Sequence, residues 1–213
     1  MDNTEHMSAA EYRELLKQYP PPENPWDAAR VRNHISSDRG REFEYLIMNG
    51  CDYYADRRRA VIGKVYEPYR CLKKYDGGRF LGQWVGRAEP DFKGVLRGGR
   101  AIAFEAKSTK KSRIQKSALT NEQAEWLDAQ AEMGAVVFVC VEIKDRFFSV
   151  PWYVWRDMRS VFGKKFLMPG DIAEYEVACD GAVKFLDYMN GRRLDGDTYA
   201  LYAAEGGGSD GKV

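Results

Sequence analysis

The stretch from Ala135 to Ile143 is nearly unbroken in apolar and β-branched residues, and it restricts the fold more than any other part of the chain. Such a run is what a strand requires when both of its faces are covered. At seven residues its apolar part, Ala135 to Val141, is far too short to cross a bilayer. Phe147 to Val150 reads as an antiparallel neighbour, and Tyr153 to Phe162 as a helix with Trp155, Met158 and Phe162 on one stripe. Upstream, Thr120 with Gln123 three positions later forms a capping-box signature for a helix running to about Met133, and Gly134 is placed to end it. With 213 residues, 44% hydrophobic and 31% charged, the chain has the composition of an ordinary globular protein, long enough to bury on the order of 70% of its unfolded surface in one domain.

Towards the N-terminus, residues 1–38 read as a partly ordered arm. A short helical pattern, Ser8 to Gln18, meets Pro20, Pro21, Pro22 and Pro25, which are expected to stop it. The folded domain is expected over 39–205. It begins with a helix over Arg39 to Arg57, in which Phe43, Leu46, Ile47 and Tyr54 recur at helical intervals, followed by a strand over Ala60 to Val65. Residues 66–90 are rich in aromatic, glycine and basic residues without a clear period and read as a long loop or projection, a kind of segment that is commonly functional. Asp91 to Leu96, the Gly98-Gly99 pair and Arg100 to Lys107 then form a hairpin signature. Residues 206–213 read as a disordered tail.

Thirty-three basic residues against 32 acidic give a net charge of +1, so only the distribution of charge speaks for an anionic partner. Basic residues gather in the middle of the chain, at Arg57 to Arg59, at Lys73 and Lys74, and at Lys107, Lys110, Lys111, Arg113 and Lys116. A charge run is by default a solvated face. Cys51, Cys71, Cys140 and Cys179 lie far apart, which fits reduced thiols better than a zinc site or a disulfide framework. The start of the chain lacks a secretory pattern and no membrane span is present, so a cytoplasmic location is expected. Histidine occurs only at His6 and His34, which disfavours histidine-based catalysis, and no phosphate-loop motif calls for a nucleotide cofactor.

The hairpin carries the chemistry. Pro90-Asp91 precedes Phe104-Glu105-Ala106-Lys107, and alternation along a strand puts Glu105 and Lys107 on one face, Phe104 and Ala106 on the other. Two carboxylates about 4 Å apart repel by roughly 4 kcal/mol at an effective dielectric of about 20. A divalent cation, Mg2+ by preference, relieves that repulsion, polarises a phosphodiester and activates water, while the lysine orients the nucleophile or stabilises developing charge. The bland alternative is the solvent face of an amphipathic strand. Three further residues carry a double reading. Glu44 is either a further metal ligand, direct or through water, or an exposed helix glutamate. Gln123 either positions water or phosphate or simply closes the capping box. Lys64 either contacts DNA or is an exposed strand lysine.

Gly40-Arg41-Glu42-Phe43-Glu44, Ala60 to Lys64, Asp91 to Val95, Ala103 to Lys107 and Gln123 together resemble the RecU-type Holliday junction resolvases of the PD-(D/E)XK nuclease superfamily, in order and in spacing over roughly residues 39–165. The resemblance implies an α/β fold with a restriction-endonuclease-like core, a mixed central β-sheet flanked by helices, and a projecting stalk-like loop at 66–90. It implies a homodimer that cuts two opposed strands of a four-way DNA junction with Mg2+, or Mn2+ in its place. On its pattern Asp91 and Glu105 match metal ligands, Lys107 the catalytic lysine, and Glu44 and Gln123 supporting positions. Tyr69, Tyr75, Phe80 and Trp84 of the stalk would stack on unpaired bases, with Lys73, Lys74 and Arg79 meeting phosphates. Lys64, Lys110, Lys111 and Arg113 are the other expected DNA contacts. Ala88-Glu89-Pro90 departs from the small hydroxyl residues usual before the aspartate, and residues after 165 find no counterpart. The competing expectations are a nuclease of the same fold acting on flaps, ends or duplex, and a non-catalytic junction-binding protein.

Overall fold

The computed structural model describes residues 25–66, 69–74, 80–84 and 89–194. The Ser8 to Gln18 pattern, the Pro20 to Pro22 stretch, Tyr75, Arg79 and the tail at 206–213 lie outside these residues. Helix α1 spans Pro25–Asp56. It covers the helix expected over Arg39 to Arg57 to within one residue of its end and starts well before it, because a proline is tolerated in a first turn, where its missing N–H has no helical partner to lose. Phe43, Leu46, Ile47, Cys51 and Tyr54 form its buried stripe. The chain leaves the helix through a turn in which Arg58 has φ 53°.

Strands β1 (Ala60–Lys64), β4 (Phe92–Leu96), β5 (Ala101–Thr109), β7 (Val136–Ile143), β8 (Arg146–Pro151), β10 (Glu176–Cys179) and β11 (Val183–Tyr188) form a seven-stranded sheet in the order β1-β4-β5-β7-β8-β10-β11. The β5–β7 pair is parallel and the others are antiparallel, so the sheet is mixed as expected. The β4–β5 hairpin pairs Phe92 with Phe104 and Val95 with Ala101, and its turn uses Gly98 and Gly99 at φ 98° and 91°, which only glycine adopts readily. The parallel β5–β7 pair is joined through α2 (Asn121–Glu132), which begins on the expected Thr120–Gln123 capping box.

Every residue of β7 is buried, and the reason is two-sided packing. On one side Phe104 stacks on Phe92 and Phe138 with centroids 5.0 and 4.3 Å apart. Phe185 of β11 curls over these rings, 5.2 Å from Phe104, and meets Tyr54 of α1 at 4.9 Å. On the other side lie α2 and α3 (Trp152–Arg156), with Trp152 and Trp155 buried. Full burial of each large side chain contributes on the order of 1.5–3 kcal/mol.

Three elements differ from the sequence reading. The stretch 66–90 contains a separate antiparallel strand pair, β2 (Tyr69–Lys74) and β3 (Phe80–Trp84), with a register shift between Cys71 and Lys73. It shows no hydrophobic period because Leu72 and Leu81 are exposed, so neither strand needs a dry face. The helix expected over Tyr153 to Phe162 is two short helices, α3 and α4 (Met158–Phe162), interrupted at Asp157. Beyond it, a small ribbon pairs β6 (Ile114–Gln115) with β9 (Phe166–Leu167), and β10 and β11 complete the main sheet.

Candidate active site

The register that pairs Phe92 with Phe104 brings Asp91 opposite Glu105 one position further along. There the backbone N–H of Ala106 donates to Asp91 Oδ2 at 2.8 Å, which ties the carboxylate to the middle of β5. Glu105 and Lys107, two residues apart on one face of β5, meet directly: Lys107 Nζ donates to Glu105 Oε2 at 2.8 Å and stands 4.0 Å from Asp91 Oδ2. From α2, Gln123 Nε2 donates to the same Glu105 Oε2 at 2.7 Å. Gln123 Oε1 meanwhile accepts from the Thr120 N–H at 3.1 Å, and Thr120 Oγ1 accepts from the Gln123 N–H at 3.2 Å. Gln123 thus closes the expected capping box with its oxygen and reaches the Glu105 carboxylate with its nitrogen, a contact that neither sequence reading named.

Glu105 is completely buried, and with both donors on Oε2 its Oε1 has no hydrogen-bond partner. Burial pushes its carboxyl up to about 7, against the pull of the Lys107 ammonium and with a further push from Asp91. An unpaired buried carboxylate oxygen is costly to leave unmet. A divalent cation fits this arrangement: hard oxygen donors, a carboxylate atom lacking a partner, and a second carboxylate whose other oxygen, Oδ1, is not used by the Ala106 hydrogen bond.

Glu44 and Lys64 form an ion pair between α1 and the end of β1. That end lies next to Asp91, since the Val65 N–H donates to the Asp91 carbonyl at 2.8 Å. Among the described residues no group of three or more ligating side chains occurs, so Glu44 does not join Asp91 and Glu105 in a single cluster. Of the expected DNA contacts, Lys110 and Lys111 are exposed in the loop that follows β5, Arg113 lies over the Phe166 ring at 4.6 Å, and Lys73 is exposed on β2. The backbones of Tyr69, Lys74, Phe80 and Trp84 lie on β2 and β3. The part played by the Ala106 N–H was invisible in the sequence, because any residue at that position supplies the same donor.

Sequence comparison finds that the family model described as RecU, Recombination protein U, matches residues 38–190. Among curated proteins none matches this chain. Among solved structures, the 1.6 Å structure of Archaeoglobus fulgidus Hjc, a Holliday junction resolvase from an archaeal hyperthermophile, is similar to it at 15% sequence identity and a TM-score of 0.37, covering 63% of this chain and 88% of that one.

Proposed function

Because the chain belongs to the RecU family of Holliday junction resolvases, we propose that it resolves four-way DNA junctions as a metal-dependent endonuclease centred on Asp91, Glu105, Lys107 and Gln123. The observation that carries this reading is the buried Glu105 carboxylate, whose Oε2 takes both side-chain donors while Oε1 is left without a partner beside Asp91.

Asp91 and Glu105 hold Mg2+, or Mn2+ in its place, and the bound ion supplies Lewis acidity toward the phosphodiester and lowers the pKa of water. The Ala106 N–H fixes Asp91 so that Oδ1 remains available. Gln123 and Lys107 together fix Glu105, orienting Oε1 away from its donors. Lys107 also carries the one ammonium of the cluster, set to meet negative charge that develops on the phosphate as the P–O bond breaks. Glu44 acts at one remove, through its pair with Lys64 beside Asp91, or through water. The basic residues Lys110, Lys111 and Arg113 follow directly on from β5, where they meet the backbone of the strand being cut. Lys64, Lys73, Lys74 and Arg79 add further phosphate contacts.

One such site cuts one strand. Resolution by nicks on two opposed strands needs two sites related by a twofold axis, which a homodimer provides. The reaction requires no nucleotide cofactor. No helix among the described residues is long and apolar enough to cross a membrane, and the reading places the protein with DNA in the cytoplasm. The test is cleavage of labelled four-way junction, linear duplex and flap DNA with and without Mg2+. Cleavage confined to the junction supports resolution, whereas equal cutting of all three keeps a nuclease and removes the junction assignment.

A further inference from the structure

An open cleft of about 560 Å³ lies between the first turn of α2, the β6–β9 ribbon and α3. It adjoins the carboxylate site across a single helix. Asn121, Ala124 and Asp128 recur at three- and four-residue spacing and face the cleft, while Gln123 is turned onto Glu105. We propose that this cleft is a phosphodiester-binding subsite for the DNA strand that passes the carboxylates, with Lys165 as its main cation. The inference rests on the nuclease reading above and assigns a role to a segment beyond the β4–β5 hairpin and its basic loop.

Charge and hydrogen bonding point to an anion. Among the lining residues Lys116, Arg156 and Lys165 are cationic and Asp128 is the one carboxylate, three charges against one. Asp128 is already engaged, accepting from Trp152 Nε1 at 2.6 Å and standing 3.6 Å from Arg156 Nη1. The Lys116 ammonium donates one of its three hydrogens to the Arg156 carbonyl. The exposed Lys165 ammonium, the Asn121 amide and the Ser117 hydroxyl have no partner among the described residues. The walls thus offer unused donors, and their one carboxylate is already paired with an indole N–H and a guanidinium.

The shape points to a polymer. The ribbon fixes Lys116 and Lys165 side by side, since the Lys116 N–H donates to the Lys165 carbonyl at 2.9 Å beyond the Gln115–Phe166 pair. Basic residues thus recur along the chain from the end of β5, at Lys110, Lys111 and Arg113, to Lys116, which lines the cleft beside Lys165. A strand with a phosphate at every nucleotide matches such a series, whereas a small anion needs a single point. Leu119 and Trp155 supply an apolar floor for a sugar.

The experiment measures junction and linear-duplex affinity over a series of salt concentrations in the uncleaving Asp91→Asn protein, alone and combined with Lys165→Ala, Lys165→Arg or Lys110→Ala. Loss of one phosphate contact lowers the log–log salt slope by about 0.9. Lys165→Ala is expected to do this on both DNAs with a several-fold loss of affinity, and Lys165→Arg to restore both. Unchanged slope and affinity in Lys165→Ala, with a drop in Lys110→Ala, would overturn the subsite while leaving the nuclease reading in place. Absence of salt-sensitive binding by the Asp91→Asn protein would overturn both. In a parallel arm, a thermal upshift with inorganic phosphate that Lys165→Ala abolishes without altering DNA binding would assign the cleft to free phosphate and overturn the proposal.

Discussion

Gln123 donates to Glu105 at 2.7 Å while its other amide atom closes the cap of the helix that carries it, so the start of α2 and the centre of β5 are locked by one side chain. The two functions separate by mutation. Thr120→Ala removes the hydroxyl that accepts from Gln123, and its expected cost is about 1 kcal/mol of stability with cleavage reduced only a few-fold. Gln123→Ala is expected to cost a similar amount of stability and in addition to slow single-turnover cleavage by roughly 10–100-fold, in the range seen when residues supporting metal ligands are lost. Denaturant midpoints and cleavage rates on the same two variants check this.

The raised Glu105 carboxyl has a consequence for stability. Its pKa moves from 4.5 to about 7 on folding. The folded state therefore binds the proton more tightly, and stability is lost as pH rises from about 4.5 through about 7. Relative to Glu105→Gln, which does not ionise, the metal-free wild type is expected to lose up to roughly 3 kcal/mol across that window. Mg2+ added above pH 7 should restore stability to the wild type and not to the variant. Parallel pH series of denaturant unfolding, with and without Mg2+, measure both effects.

The pairing of Glu44 with Lys64 bears on metal binding. Glu44→Gln is expected to weaken Mn2+ affinity by at least tenfold less than Asp91→Asn does. Equal losses in a Mn2+ titration would instead make Glu44 a direct ligand.

Tyr54 ties the last strand to the first helix. Its hydroxyl donates to Asp187 Oδ2 at 3.0 Å and accepts from the Leu186 N–H at 3.0 Å, while Arg59 pairs with both oxygens of Asp187. Tyr54→Phe leaves the buried Leu186 N–H without its acceptor, and the expected loss is about 1–3 kcal/mol in denaturant unfolding. Because the Tyr54 hydroxyl bonds Asp187 and the Leu186 N–H and none of Asp91, Glu105, Lys107 or Gln123, cleavage below the unfolding transition should be unchanged.

Much of the site's frame is legible in the sequence because its signals are local. The Gly98-Gly99 turn sets the β4–β5 register, the Thr120–Gln123 pair starts α2, and the nearly unbroken apolar run in β7 declares a strand covered on both faces. The extent of α1 was hidden by Pro25, which stops a helix in its interior and is accepted in its first turn. The β2–β3 pair lacks a period because its leucines are exposed. Strand β11 does carry apolar residues, with Val183, Phe185, Leu186 and Tyr188 buried, but its role depends on curling back to α1, a long-range contact with no local sign. The state of Glu105 was equally out of reach: the E-x-K spacing gives the face, and only packing reveals that both donors choose Oε2 and leave Oε1 alone.

The most direct test of the central claim is cleavage of a labelled four-way junction by wild type and by Asp91→Asn, each with Mg2+ and with chelator. The account predicts paired nicks on opposed strands by the wild type with Mg2+, at least 100-fold slower cleavage by the variant, and none with chelator. Cleavage that survives chelation, or that Asp91→Asn leaves unchanged, would contradict it.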